Sequence, residues 1–247
     1  TPLNSFVKSV NHPICPLIFP FLLSDIYFLI LFMAAVVYYF SDAPFMKNWT
    51  MYQVIRMGRV RWALGQIETI LISSFTFILL AVGMTGILFL PNVTLTEGWG
   101  KVLYTLSMTE VSGEFNIPFG IPYEIISHYT VLEGLGVTIL VGGMVIAFIG
   151  LLMFCISLTG SRLLSNVVAM VFVIMPMVQL NIGMAVPELD YVSPVSWINL
   201  SKIDITGTGS GLPLSDCAAI LGIMCILLSI AIIWKIKTVD FQIVKED

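Results

Sequence analysis

Long runs of apolar residues alternate with shorter polar stretches along this chain. A bilayer core of about 30 Å takes about 20 apolar residues in a helix, and five runs have about this length. The runs are continuous and aliphatic, without the period-two alternation typical of membrane barrels. They predict an all-α integral membrane protein, a single transmembrane domain over 1–247 whose five helices lie at about 19–40, 67–90, 135–158, 164–184 and 218–234.

The stretches between the runs differ in character. Residues about 43–62 place basic and aromatic side chains at helical spacing, which predicts an amphipathic helix. Residues about 91–132 and 185–215 are rich in Trp and Tyr, which favour the level of the lipid headgroups, and Pro and Gly divide them into short pieces. These two segments predict small interfacial or re-entrant helices, and Glu133 is expected to mark a helix end.

The composition supports a membrane location. The chain is 58% hydrophobic and only 11% charged, whereas soluble domains have about 25% charged residues. Its net charge of -4 and acidic loops provide no basic stripe, so nucleic acid is not an expected partner. The four cysteines lack the spacing of metal ligands, and we expect neither a metal site nor a disulfide framework.

Lys and Arg are divided unevenly among the polar segments. Eight lie in 41–66, 159–163 and 235–247, and three lie on the other side of the predicted membrane. Because cytoplasmic loops retain positive charge, the first group is predicted to be cytoplasmic, together with the C-terminus. Five crossings then leave the N-terminus outside without a signal peptide, and we expect a sixth helix upstream.

Catalytic motifs are scarce. The chain has no GxxxxGK[ST] sequence, so any ATP must be bound by another subunit, and we expect no enzyme activity and no cofactor in this chain. Glu110, Glu114 and His128 leave open an intramembrane protease. A membrane scaffold or sensor subunit that carries no cargo also remains open.

Two ionisable residues fall within apolar runs, where such residues are costly and are candidates for function. Asp25 lies near the external end of the first run, where it has access to a cation, a neighbouring helix or interfacial water. Glu68 follows Arg61 by seven residues. For Glu68 a structural ion pair with Arg61 is favoured over a proton relay.

The most distinctive stretch lies between the first two runs. Trp49, Tyr52 and Arg56 recur at helical spacing and form an aromatic face beside a basic one. Such a helix suits an anionic membrane surface, and it equally suits a cytoplasmic partner that binds through aromatic and Arg anchors.

This stretch also carries a resemblance to a known family. The sequences SDAPF at 41–45, YQVIRMGR at 52–59, RW at 61–62 and GQ at 65–66 resemble the cytoplasmic loop of ABC-2-type exporter permeases of Gram-positive bacteria. Trp99-Gly100-Lys101 and the Ser193-Pro194 pair before Trp197 are similar to external segments of such permeases. The resemblance extends over nearly the whole chain through loop order and topology.

Membership of that family implies a multi-pass permease of the bacterial cell membrane. Such a permease works as a dimer, with a second copy or a paralogue, and with two ABC ATP-binding subunits that hold ATP and Mg. The resemblance makes 43–62 a coupling helix, with membrane lipids around the helices. The expected ATPase contacts are Trp49, Tyr52, Arg56 and Arg59, with Arg162 as a secondary contact. Because the crossings hold few polar groups, the expected cargo is amphipathic, a peptide or a lipid-like molecule.

Overall fold

The fold is known from a computed structural model that describes residues 17–43, 50–88, 98–108, 120–182, 193–204 and 212–238. The described chain is mostly helical, which confirms the all-α prediction. In chain order its helices are α1 (Phe19–Ser24), α2 (Ile26–Phe40), α3 (Thr50–Met57), α4 (Arg59–Leu88), α5 (Gly100–Met108), α6 (Tyr123–His128), α7 (Val131–Ser157), α8 (Arg162–Ile182), η1 (Pro194–Ile198), η2 (Leu200–Lys202) and α9 (Leu214–Lys235).

Four of these helices, α4, α7, α8 and α9, are long and apolar enough to cross a membrane. Helix α7 forms the centre of the bundle and packs against the other three. It is buried on most of its surface, whereas the other three each keep a broad apolar face that is exposed among the described residues. The exposed faces are therefore available to lipid or to other subunits.

Glycines let α4 approach α7 closely. A side chain at Gly142 would collide with Ile78, and one at Gly143 would lie 2.5 Å from the ring of Phe75. Small residues at such crossings bring helix backbones together and increase the packing between them. Gly83, by contrast, has no atom within 4 Å of the position that a Cβ would take.

The first apolar run is two helices and not the single helix that its hydropathy predicts. Helix α1 ends at Ser24, and Asp25 adopts an extended conformation with ψ 122°. The Asp25 carboxylate accepts the backbone N–H of Phe28 at 2.8 Å and so caps α2. Helix α2 has 15 residues and a length of about 22 Å, which is shorter than a bilayer core of about 30 Å.

Two helices begin earlier than their apolar runs. Helix α4 starts at Arg59, because its first two turns bury Trp62 while exposing their basic residues. Helix α7 starts at Val131, where Thr130 and Glu133 form a reciprocal capping box. The expectation that Glu133 marks a helix end is confirmed.

Short elements at one end of the bundle form a second hydrophobic cluster. It contains Phe21 of α1, Trp99 before α5, Ile125 of α6, Tyr129 between α6 and α7, and Leu200 of η2. Residues 193–198 are buried throughout and pack between α7 and α8. A parallel pair of two-residue strands, β1 (Ile203–Asp204) and β2 (Leu212–Pro213), leads into α9.

Candidate functional site

Two contacts join four segments of the chain at one end of the bundle. Arg162 at the start of α8 lies 3.9 Å from Asp42, which follows α2. The Arg59 guanidinium donates a long hydrogen bond of 3.5 Å to the backbone carbonyl of Lys237, beyond α9. We call this the basic end of the bundle, because it carries Arg56, Arg59, Arg61, Arg162, Lys235 and Lys237.

The basic end is built around a corner between α3 and α4. Gly58 forms the corner with φ 86°, a left-handed conformation that favours glycine. Its N–H donates to the Val54 carbonyl at 2.9 Å, and its own carbonyl accepts from the Trp62 N–H at 3.1 Å. Hydrogen bonds thus join the corner to both helices.

Two buried side chains anchor the corner to the bundle. Val54 of α3 and Trp62 of α4 are both buried. The Trp62 ring meets Phe154 of α7 edge-to-face, with ring centroids 6.2 Å apart. The corner is therefore connected to the central helix through Trp62.

The opposite side of α3 is open. Ile55 is 79% exposed, although it is a large apolar residue, and Arg56 beside it is also exposed. We call Ile55 and Arg56 the docking face, since an exposed apolar side chain next to a guanidinium is typical of protein interfaces. Tyr52 lies in α3 one turn before Arg56, and Trp49 lies outside the described residues.

The ion pair between Arg162 and Asp42 links the two loops of the basic end. Both side chains are more than half exposed, and their closest polar atoms are 3.9 Å apart. Exposed pairs of this kind contribute about 0–1 kcal/mol. This contact therefore positions the loops relative to each other and adds little stability.

The two ionisable residues within the apolar runs have different settings. Asp25 is half-buried and serves as the cap of α2. Glu68 is exposed, and within the described residues it forms no ion pair with Arg61. The predicted pair is wrong because seven residues of helix separate the two positions by about 10 Å along the axis.

The other end of the bundle is held together by buried hydrogen bonds. Trp99 donates its indole N–H to the Tyr129 carbonyl at 2.7 Å, and the Tyr129 hydroxyl donates to the Ile203 carbonyl at 2.8 Å. Burial of the phenol, together with nearby Asp204, raises the pKa of Tyr129 to about 12. Tyr129 therefore remains a neutral donor over the physiological range.

A second buried polar group connects this end to α8. Ser196 of η1 donates to the side-chain oxygen of Gln179 at 2.5 Å, and the Ser193 hydroxyl lies 2.7 Å from that of Ser196. Sequence reasoning missed this group, because its residues are separated along the chain and no local motif joins Gln179 to Ser196.

Of the three residues that could form an intramembrane protease site, only His128 lies among the described residues. His128 is exposed at the end of α6, while Glu110 and Glu114 lie outside the described residues. Among the described residues, no three His, Cys, Asp or Glu side chains are grouped as metal ligands. Comparison with family models, with curated proteins and with solved structures finds no match to this chain.

Proposed function

We propose that this chain is the transmembrane permease subunit of an ATP-driven exporter of the ABC-2 type. It works as a dimer with a second copy or a related permease, and two separate ABC ATPase subunits bind ATP and Mg. The observation that carries this proposal is the corner at Gly58, which joins an exposed docking face to a helix of membrane-spanning length.

The corner is suited to transmitting motion. Helix α4 has 30 residues and a length of about 45 Å, enough to extend from α3 across a bilayer. A partner that displaces α3 also displaces Trp62, which packs on Phe154 of the central helix. The Arg162–Asp42 contact offers a second point at which the partner displaces the bundle, through the loop between α7 and α8.

The charge distribution supports a cytoplasmic basic end. Six Lys and Arg residues lie there among the described residues. Residues near helix ends that carry this excess of positive charge remain on the cytoplasmic side during insertion. In this arrangement α1 and α2 together make the first of five crossings, and α4, α7, α8 and α9 make the others. The docking face then meets the compartment that holds the ATPases.

The cargo is an amphipathic molecule, either a peptide or a lipid-like compound. The exposed faces of α4, α8 and α9 are dominated by Ile, Leu, Val and Met. These side chains offer dispersion contacts but few hydrogen bonds for a hydrophilic solute. Transport thus proceeds by a change of packing between helices, and the partner ATPase supplies the hydrolysis of ATP.

Co-purification with an ABC ATPase encoded beside the permease tests this assignment. The double variant Tyr52→Ala with Arg56→Ala removes an aromatic and a cationic anchor from α3. Interface anchors each contribute about 2 kcal/mol, so the affinity for the ATPase should fall by about 30-fold for each anchor and by up to about 1,000-fold for both. The permease should still reach the membrane, because Arg56 is exposed.

The matched control is Tyr123→Ala with His128→Ala. These two exposed residues lie in α6, which packs in the hydrophobic cluster away from the basic end. The control should retain the ATPase. Full retention by the α3 variant, or equal loss in the control, would rule out docking through α3.

A further inference from the structure

A groove lies beside the Gly58 corner, between the start of α4 and the end of α9. Its lining residues are Met57, Gly58, Arg59, Val60, Arg61 and Lys237, and its volume is about 530 Å³. This volume falls within the range of small-molecule sites, about 300–1,000 Å³. Ile55 and Arg56 of the docking face do not line it.

The groove is strongly cationic. Three of its six lining residues are Arg or Lys, and none is acidic. Within the described residues neither Arg61 nor Lys237 forms an ion pair. The Arg59 guanidinium donates to the carbonyl of Lys237, which holds the two walls of the groove together. The ligand that complements these walls is an anion.

The position of the groove selects among anions. Arg59 is the first residue of one membrane-length helix, and Lys235 is the last residue of another. Exposed apolar side chains lie within one turn of the lining residues on both helices: Leu64, three residues after Arg61, is 47% exposed, and Trp234, three residues before Lys237, is 72% exposed. Trp at the end of such a helix is typical of the headgroup level.

We propose that this groove binds the headgroup of an anionic phospholipid such as phosphatidylglycerol. The lipid phosphate lies between Arg61 and Lys237, and the acyl chains lie against the exposed apolar residues of α4 and α9. Cationic pockets between helices on the cytoplasmic side are suited to such headgroups. An acidic peptide of a protein partner would fit the charges but would leave Leu64 and Trp234 uncovered.

This site depends on insertion of α4 and α9 in a membrane and not on any ATPase. A lipid held there joins the start of α4 to the end of α9. It also lies next to the Gly58 corner. The anionic lipid content of the membrane therefore affects α3, the helix that we propose as the docking site.

The test measures lipid retention by native mass spectrometry. The whole chain is purified from nanodiscs that contain equal amounts of phosphatidylglycerol and phosphatidylcholine. The wild type should retain phosphatidylglycerol selectively. In the double variant R61Q/K237Q this selectivity should fall by about 10-fold or more, since each surface cation contributes to anionic lipid binding. The variant R61K/K237R keeps both charges and should retain the lipid.

The control variant is R56Q/R162Q, which removes the same total charge from the basic end but leaves the groove intact. It should retain the lipid as the wild type does. Equal retention in R61Q/K237Q and the wild type would overturn the proposal, as would equal loss in the control. If R61Q/K237Q keeps the lipid but loses the co-purifying ATPase, the groove is a protein contact instead.

Discussion

Gly150 of α7 lies directly against Ile70 of α4, so closely that a Cβ on the glycine would be 2.7 Å from the Ile70 Cγ2 atom. The ring of Phe40 borders the same space, and its Cε1 and Cε2 atoms are each 3.3 Å from that Cβ position. Ile70 and Phe40 are both fully buried, so neither side chain has room to turn away. This position therefore sets the distance between the central helix and α4.

The substitution Gly150→Ala should lower the stability of the protein in detergent. Overpacking a filled core costs about 1–3 kcal/mol, which outweighs the gain of about 1 kcal/mol in helix propensity. Thermal unfolding followed by size-exclusion chromatography measures the change. Gly136→Ala is the matched control on the same helix, because no described residue has an atom within 4 Å of its Cβ position. A stable G150A protein would show that α4 and α7 can separate without cost.

The hydroxyl of Ser196 should contribute more to stability than that of Ser201. Ser196→Ala removes a buried hydroxyl that is hydrogen-bonded to Gln179 and Ser193, and each lost hydrogen bond costs about 0.5–1.5 kcal/mol. Within the part of the chain that the structure describes, the Ser201 hydroxyl is buried without a hydrogen-bond partner, so Ser201→Ala should be neutral or stabilising. Chemical unfolding of the two variants in the same detergent compares them, and equal losses would contradict the assignment of these hydrogen bonds.

Gly58→Ala should weaken the corner between α3 and α4. Among the described residues no atom lies within 4 Å of the Cβ position, so the effect comes from the backbone alone. A residue with a side chain costs about 1–2 kcal/mol in the left-handed conformation. Gly65→Ala, in the helical part of α4 and equally free of neighbours, serves as control.

The readout for Gly58→Ala is stimulation of the bound ATPase. If the corner transmits motion, G58A should reduce stimulation while Gly65→Ala does not. Asn tolerates the left-handed conformation better than Ala, so Gly58→Asn should restore part of the stimulation. Normal stimulation by G58A would exclude the corner as the coupling element.

The long helices were predictable because burial in lipid demands a continuous apolar run. Their starts were less predictable: α4 gains two turns before Ile67, because Trp62 finds a buried place against Phe154. Phe154 belongs to another helix, so the local sequence around Trp62 does not predict this contact. The amphipathic pattern of 43–62 did predict a helix, and α3 occupies 50–57 within it.

The break at Asp25 had a local signal that hydropathy obscured. Asp before an apolar run is a typical helix cap, and Ser24 and Asp25 stand at that position in the first run. The groove had no such signal. It depends on Lys237 meeting the start of α4, a contact across 178 positions of the chain. Periodicity within one helix cannot predict a site that two distant helices form.

The interruption between α1 and α2 also constrains how the protein is assembled. The side-chain amide of Asn199 donates to the carbonyl of Ser24 at 3.5 Å, and the two residues are 175 positions apart. During synthesis, the chain that covers the interruption emerges from the ribosome long after α2 has entered the membrane. Packing across the interruption is therefore complete only after the segment that contains Asn199 has folded back onto α1 and α2.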